Sequence, residues 1–347
     1  MKVAFASQLP LCLASGGLEL QVLRTARALQ RLGVETEFLD PWKPTFDAAL
    51  MHCFSSEYQL GELIERATAQ GIPVVVTAVF LPRTFRVAYR MWRGVDPLIP
   101  AKTTFGLRRR ILHHASRVIA LSQSEARDLV HIFGIGPSSV EVVPNGVDSS
   151  IEGARPDAFR ERFGVSDFVL CVASVERRKN QLRLIEALRN SRVPLVLIGQ
   201  GRADEADYVR RVEEEVKRSE DILWIPGLPP DSELLLSAYA AARVHALPSL
   251  SEGQPLALLE AAATGANIVM SDLPYLGELF GDYAWYCNPR SPLSIREAVM
   301  AAWHAPRGVR YTRRPPWLLS WDDVARRLVG VYERVLAEHG KRAGDRR

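Results

Sequence analysis

The sequence has no long apolar run, few cysteines, no Asp-x-Asp and almost no excess of charge, and each lack removes a class of protein. No stretch approaches the roughly 20 consecutive apolar residues that span a bilayer, so any membrane association is expected to be peripheral. The four cysteines, Cys12, Cys53, Cys171 and Cys287, lie far apart without a C-x-x-C pair, which argues against a zinc knuckle or a disulfide framework. Cys53 and Cys171 sit inside apolar runs and read as small buried hydrophobes, and a reducing, cytoplasmic setting fits best. The opening apolar stretch is broken by Gln8 and Pro10 behind a single positive charge, which does not suit an export leader. Lys and Arg total 44 against 40 Asp and Glu, far from the charge density of a nucleic-acid binder, so no nucleic-acid partner is expected. Without Asp-x-Asp, and with no ligand spacing among the histidines beyond the adjacent His113 and His114, neither a metal nor another cofactor is expected. G-x-G-x-x-G is absent after the first strand, which counts against a nicotinamide dehydrogenase.

What is present is an alternation of short apolar runs and amphipathic segments, the pattern of parallel sheets with crossover helices. Strands are predicted at 3–7, 34–39, 48–53, 73–79, 117–121 and 140–143, and helices at 18–32, 58–70 and 107–115. A proline-punctuated insertion covers 81–104. Ser122 and Glu125 form a capping-box signature for a further helix. After a polar stretch at 149–157 the alternation resumes, with strands at 168–173, 195–198, 222–225, 244–247 and 267–270. Helices are predicted between them at 182–190, 208–218, 233–241 and 255–264. The chain thus reads as an α/β protein of two doubly wound Rossmann-like domains, 1–150 and 151–316. Val324, Leu328, Val331 and Val335 mark an amphipathic helix within 317–339, and 340–347 is expected to be a disordered tail.

The most informative stretch runs Leu247-Pro248-Ser249-Leu250-Ser251-Glu252-Gly253-Gln254-Pro255-Leu256 and on through Glu260-Ala261 to Thr264-Gly265. Proline suits the first position of a helix, which puts Glu252 in the preceding loop and Glu260 roughly 7 to 8 Å along the axis. The free N–H groups and the positive dipole end at such a helix start favour a diphosphate. A carboxylate further along can accept two hydrogen bonds from a ribose diol.

This stretch closely resembles the Glu-x7-Glu signature of the family 4 (group 1) glycosyltransferases of the GT-B fold. Other segments resemble the same family in the same order: Ala173-Ser174-Val175-Glu176-Arg177-Arg178-Lys179-Asn180, Leu197-Ile198-Gly199-Gln200-Gly201, Ile225-Pro226-Gly227-Leu228, the inter-domain Pro144-Asn145-Gly146-Val147-Asp148, and Ser320-Trp321 before the last helix. The likeness is dense from about residue 142 to 337 and thin before that.

The resemblance implies two domains facing across a cleft, with 317–339 crossing back onto the first domain. It implies a retaining, metal-independent transfer of a mannose-like or glucose-like hexose from a nucleotide-diphosphate sugar. Arg178 and Lys179 would neutralise the departing diphosphate; many members carry Gly-Arg where this chain has Ala173-Ser174, and Arg178 would supply the second cation in its place. Glu252 would contact the sugar hydroxyls and Glu260 the ribose. Gly253, Gln254, Pro255 and Leu256 would offer backbone to the diphosphate, with Ser174 and Gly227 also lining the donor. Gly16 and Gly17, in the loop after the first strand, would let backbone approach the donor from the first domain.

One departure concerns the histidine that family members commonly place after the strand at 73–79, which is missing from Val76-Thr77-Ala78-Val79-Phe80-Leu81. A nucleotide-sugar-binding module without turnover is therefore the alternative to an enzyme, and a nucleotide-sugar 2-epimerase is another. His52 ends a predicted strand and reads as a buried or surface histidine. Between Arg83 and Arg127 ten basic residues face two acids, interleaved with Phe85, Tyr89, Trp92 and Phe105. That mixture suits either peripheral contact with anionic lipid or an anionic acceptor such as a polyprenyl-linked phosphosugar. The acceptor is expected to be a glycan or glycolipid of cell-surface polysaccharide synthesis, reached from the cytoplasm at the inner face of the membrane.

Overall fold

The computed structural model describes residues 1–8, 16–81, 86–96, 102–311 and 313–344. Cys12, Arg83 and Phe85 lie outside the described residues. The chain divides into two compact units, one of residues 1–146 with 321–347 and the other of 147–320.

The first unit contains β1 (Lys2–Ser7), α1 (Gly17–Arg31), β2 (Glu35–Phe38), β3 (Leu50–Phe54), α2 (Gly61–Ala69), β4 (Val74–Thr77), α3 (Arg86–Val95), α4 (Thr104–His114), β5 (Arg117–Ala120), α5 (Gln123–Asp128) and β6 (Val140–Val142). Its strands are parallel in the order β2-β1-β3-β4-β5-β6. All residues of β3 and β4 are buried, as continuous apolar runs covered on both faces should be. The expected loop-like insertion contains α3, and α4 starts three residues before the predicted helix because the Thr103 hydroxyl accepts the Gly106 N–H at 2.9 Å as an N-cap.

The Ser122–Glu125 capping box forms only by half. The Ser122 hydroxyl accepts the Glu125 N–H at 3.1 Å, but the Glu125 carboxylate turns inward to accept from Phe80 N (2.6 Å) and Leu121 N (2.7 Å). Two buried backbone donors outweigh the half-buried cap position.

The chain passes to the second unit at β7 (Gly146–Val147). There follow α6 (Asp157–Phe163), β8 (Val169–Val172), α7 (Gln181–Leu188), β9 (Leu195–Ile198), α8 (Ala206–Lys217), β10 (Ile222–Ile225), α9 (Glu233–Ala241), β11 (Val244–Leu247), α10 (Leu256–Ala263), β12 (Asn267–Ser271), α11 (Pro274–Phe280), β13 (Ala284–Cys287), α12 (Pro292–His304) and β14 (Leu319–Ser320). The parallel order β10-β9-β8-β11-β12-β13 reverses direction between β8 and β11. Doubly wound sheets bind ligands outside the carboxyl ends of the strands flanking such a reversal. Close packing at that edge excludes any side chain at Gly199, where a Cβ would fall 1.9 Å from the Ala173 carbonyl oxygen.

The last helix, α13 (Trp321–Gly344), belongs to the first unit. Val324, Leu328, Val331 and Val335 are all buried, as their spacing predicts. Tyr332 Oη lies 2.7 Å from His52 Nδ1, whose Nε2 is 2.8 Å from Thr77 Oγ1, so one buried imidazole ties α13 to β3 and β4. The expected disordered tail at 340–347 is instead helical through Gly344. A long helix already anchored by its apolar stripe extends cheaply, and Lys341 sits favourably at its negative end.

Candidate active site

The two loops at the reversal point of the second sheet carry the charged residues that the sequence singles out. After β8 the chain makes a short 3-10 turn, Arg177–Lys179, closed by Asn180 in a left-handed conformation (φ 65°). The Asn180 side-chain amide donates to the carbonyls of Pro248 and Pro289, both at 2.8 Å, and Leu250 N donates to Arg178 O at 2.8 Å. The β8 loop is thereby fastened to the loop after β11, and their side chains converge.

Lys179 Nζ donates to Glu252 Oε1 at 2.6 Å, and Arg178 Nη1 donates to the same oxygen at 3.1 Å and to Ser251 O at 3.0 Å. Arg178 Nη2 donates to Glu176 Oε1 at 2.7 Å. Both acids are almost fully buried, whereas the Arg178 side chain is 40% exposed. Burial alone would raise the Glu252 pKa, but the charges of Lys179 and Arg178 outweigh it and hold the carboxyl below its ordinary range. Glu252 is therefore an anion at neutral pH, held by two cations.

Glu252 lies in the loop that leads into α10. Pro255 is the residue before that helix, with ψ 122°, rather than its first helical residue as expected. Its fixed φ of −69° is compatible with either position, and the extended ψ lets the loop swing away to place Glu252. No side chain caps α10; Leu258 N donates to Pro255 O at 3.1 Å, which leaves the N–H groups of Leu256 and Ala257 at the tip for a ligand or solvent. Gly253 and Gln254 lie between Glu252 and that tip, and Leu256 is its first residue.

Glu260 lies one turn into α10, about 6 Å from the helix start. Tyr239 of α9 donates its hydroxyl to Glu260 Oε2 at 2.8 Å. Tyr239 is 1% exposed, and burial first, then the Glu260 charge, raises its pKa well above the ordinary value, so the phenol remains a donor. His245 stacks on the Tyr239 ring with centroids 5.8 Å apart. Burial, with the Lys179 charge adding, lowers its pKa to about 3, and the neutral imidazole leaves Nδ1 without a partner.

Of the other expected donor residues, Ser174 places its hydroxyl 3.4 Å from Glu176 Oε1 and its carbonyl accepts Gln181 Nε2 at 2.8 Å. Gly227 follows β10, two strands from the reversal point, with φ 117° and Gln200 Cγ 3.0 Å from where a Cβ would stand. Gly16 and Gly17 open α1 in the other unit; no side chain caps that helix either, and a Cβ on Gly17 would meet open space. His52 is not a site residue: it is fully buried, and burial lowers its pKa to about 3.

In the first unit the segment that lacks the histidine is strained. Val79 has φ 46°, costly for a β-branched residue, and the following N–H is the one that Glu125 holds. Burial raises the Glu125 pKa to about 7 against the pull of its two backbone hydrogen bonds. Arg108 lies over the Phe80 ring and pairs with Glu57.

Glu176, Asn180 and Tyr239 are the parts of this arrangement not assigned a role from sequence. Asn180 had a signal, since asparagine after a basic turn is a common left-handed stop. Glu176 and Tyr239 had none, because their importance lies in which side chain stands opposite.

Two doubly wound units, one with cations and acids gathered at its reversal point beside an open helix tip, define a nucleotide-sugar-dependent enzyme of the GT-B type. Residues 45–151 match the family described as Glycosyltransferase Family 4, and residues 157–311 match Glycosyl transferases group 1. The chain belongs to the family 4, group 1 glycosyltransferases. It is 27% identical over 301 residues to an MMP alpha-(1->4)-mannosyltransferase of Mycolicibacterium hassiacum, covering 80% of this chain and 69% of that protein. It is 26% identical over 321 residues to a D-inositol 3-phosphate glycosyltransferase of Acidothermus cellulolyticus, covering 84% and 69%. Among solved structures it is similar in fold to sucrose-phosphate synthase from Thermosynechococcus elongatus, with TM-score 0.76, 19% identity and coverage of 97% of this chain and 99% of that one. Anabaena HepE in complex with UDP and glucose gives TM-score 0.73 at 16% identity, covering 96% and 99%.

Proposed function

We propose that this glycosyltransferase moves a hexose, mannose-like or glucose-like, from a nucleoside-diphosphate sugar to a glycan or glycolipid acceptor, with retention of configuration and without a metal. The convergence of Lys179 and Arg178 on Glu252, beside the uncapped tip of α10, carries this reading. A donor diphosphate takes the place of Glu252 as partner of the two cations, which releases the carboxylate to accept hydrogen bonds from the sugar hydroxyls. As the bond from the anomeric carbon to the β-phosphate oxygen breaks, negative charge grows on that oxygen, where Lys179, Arg178 and the helix-tip N–H groups stabilise it. The acceptor hydroxyl forms the new glycosidic bond and gives its proton to the departing phosphate. Glu260, steadied by Tyr239, accepts from the ribose diol. The names of the two curated relatives, a mannosyltransferase and an inositol 3-phosphate glycosyltransferase, support a hexosyl donor and leave a phosphorylated polyol among the acceptors.

A panel of UDP- and GDP-hexoses tests this by thermal shift and by nucleotide release in the presence and absence of EDTA. Stabilisation by one base series, with turnover that survives the chelator, is expected. Stabilisation without release under any acceptor would leave a binding module, and product formed without an acceptor would leave an epimerase.

Work at the inner face of the cytoplasmic membrane, in cell-surface polysaccharide synthesis, completes the proposal. Apolar surface on α3, more than charge, supports it. Several cations between residues 83 and 127 have partners within the first unit: Arg93 with His131 O, Arg108 with Glu57, Arg110 with Glu65, Arg117 with Glu141 and Glu338. On α3, Tyr89 packs inward against Phe80 and Phe105, while Met91 (69%), Trp92 (47%) and Val95 (50%) are exposed together. An outward apolar stripe on a helix in a basic segment suits the boundary of an anionic bilayer.

A further inference from the structure

The Arg178 guanidinium is shared between two buried acids that differ in what a ligand would do to them. Glu252, on the opposite loop, is the partner that a diphosphate displaces. Glu176 stands two residues before Arg178 on the same turn, so it stays beside the guanidinium whether or not the site is filled. Its side chain is 7% exposed and accepts from Arg178 Nη2 at 2.7 Å through Oε1. Its other oxygen lies 3.7 Å from Arg202 Nε, and the Arg202 guanidinium is itself engaged by both oxygens of Asp204 at 2.9 and 2.8 Å. A buried carboxylate needs such partners to remain charged. In return it fixes the guanidinium in place and cancels part of the positive field that the guanidinium presents to the site.

We propose that Glu176 is a positioning and counter-charge residue that limits how tightly Arg178 grips a diphosphate, and so sets the rate at which the nucleotide product leaves. The inference rests on the reading of Arg178 and Lys179 as diphosphate ligands. A nucleoside diphosphate carries more negative charge after the sugar has left than before, so cations tuned to the departing group bind the product harder than the donor. An uncompensated pair of cations would favour the bond-breaking step at the cost of product release. Glu176 moderates one of the two: Lys179 gives its backbone N–H to the Glu176 carbonyl at 3.0 Å, but its ammonium meets Glu252, not the Glu176 carboxylate.

Glu176→Gln keeps an acceptor for Arg178 and removes the charge. Calorimetry on the full chain with UDP, GDP, UMP and GMP is expected to show a diphosphate bound about three- to tenfold more tightly by the variant, with the matching monophosphate changed less than about twofold. The diphosphate should also dissociate more slowly, and the gain should shrink at high salt. In an Arg178→Ala background the same substitution should have no effect, which separates action through Arg178 from a change in the loop. Glu176→Asp withdraws the charge by one methylene and should give the same sign at smaller size, so a Gln variant that does not fold leaves the test standing. Unchanged or weakened diphosphate affinity in a folded variant, or a gain that persists without Arg178, overturns the inference. A wild-type protein that binds neither UDP nor GDP removes the underlying reading as well, before any variant is made.

Discussion

Lys179 and Glu252 are separated by 73 residues of sequence and by 2.6 Å in the folded chain, where they form the best-buried ion pair of the site. Truncating Lys179 would leave Glu252 with Arg178, at 3.1 Å, as its ion-pair partner and would remove the better-buried of the two cations from the site. Lys179→Ala should lower turnover by about 10² to 10³, the usual loss when a group aimed at developing negative charge is removed. Single-turnover measurement of nucleotide release checks it. A variant with wild-type turnover would take Lys179 out of the chemistry.

Tyr239 should matter to the ribose without touching it. Tyr239→Phe retains the ring that stacks on His245 and removes only the hydroxyl that holds Glu260. Affinity for the preferred nucleoside diphosphate is expected to fall about three- to tenfold, the net worth of one ordinary hydrogen bond. Affinity for its 2′,3′-dideoxy analogue should stay the same. Equal losses for both ligands would show a general loosening of the pocket instead.

His52 gives a stability signature with a defined sign. Its folded-state pKa is depressed to about 3 by burial, below the ordinary 6.5. A depressed value means that the contribution is complete above pH 6.5 and is lost as pH falls below it, because only the unfolded imidazole takes up the proton. Between pH 7 and pH 5 the wild-type protein should lose about 2 kcal/mol through this residue. The destabilisation caused by His52→Asn should therefore shrink by that amount over the same interval in denaturant titrations. A pH-independent difference between the two proteins would contradict the neutral, buried assignment.

The stripe on α3 should be required at a membrane and nowhere else. Replacing Met91 and Trp92 together with serine removes apolar side chains that are already exposed, so the melting temperature should barely move. Co-sedimentation with phosphatidylglycerol-containing vesicles should weaken about tenfold, while release of nucleotide to a water-soluble acceptor is unaffected. Retention of vesicle binding by the variant would assign the contact to another surface.

Much of the fold was readable because buried parallel strands are apolar throughout and surface helices carry a 3.6-residue stripe, so β3, β4, β8, β11 and α13 announce themselves. The helix α3 did not, since Met91, Trp92 and Val95 face outward and its segment reads as proline-broken loop. Pro255 shows how far local rules reach: its ring fixes φ, but ψ was set by the need to carry the loop back toward Lys179.

The sequence alone determined the family and the two doubly wound units and singled out Arg178, Lys179, Glu252 and Glu260 as candidates, because residue type and spacing are local properties that survive in a short motif. Only the tertiary structure decided which acid each cation meets, that Glu176 shares Arg178 with Glu252, that Tyr239 steadies Glu260, and that His52 serves α13 rather than the site. Those pairings depend on strand order. The reversal between β8 and β11 brings together loops about seventy residues apart, and no spacing within either loop encodes that neighbour.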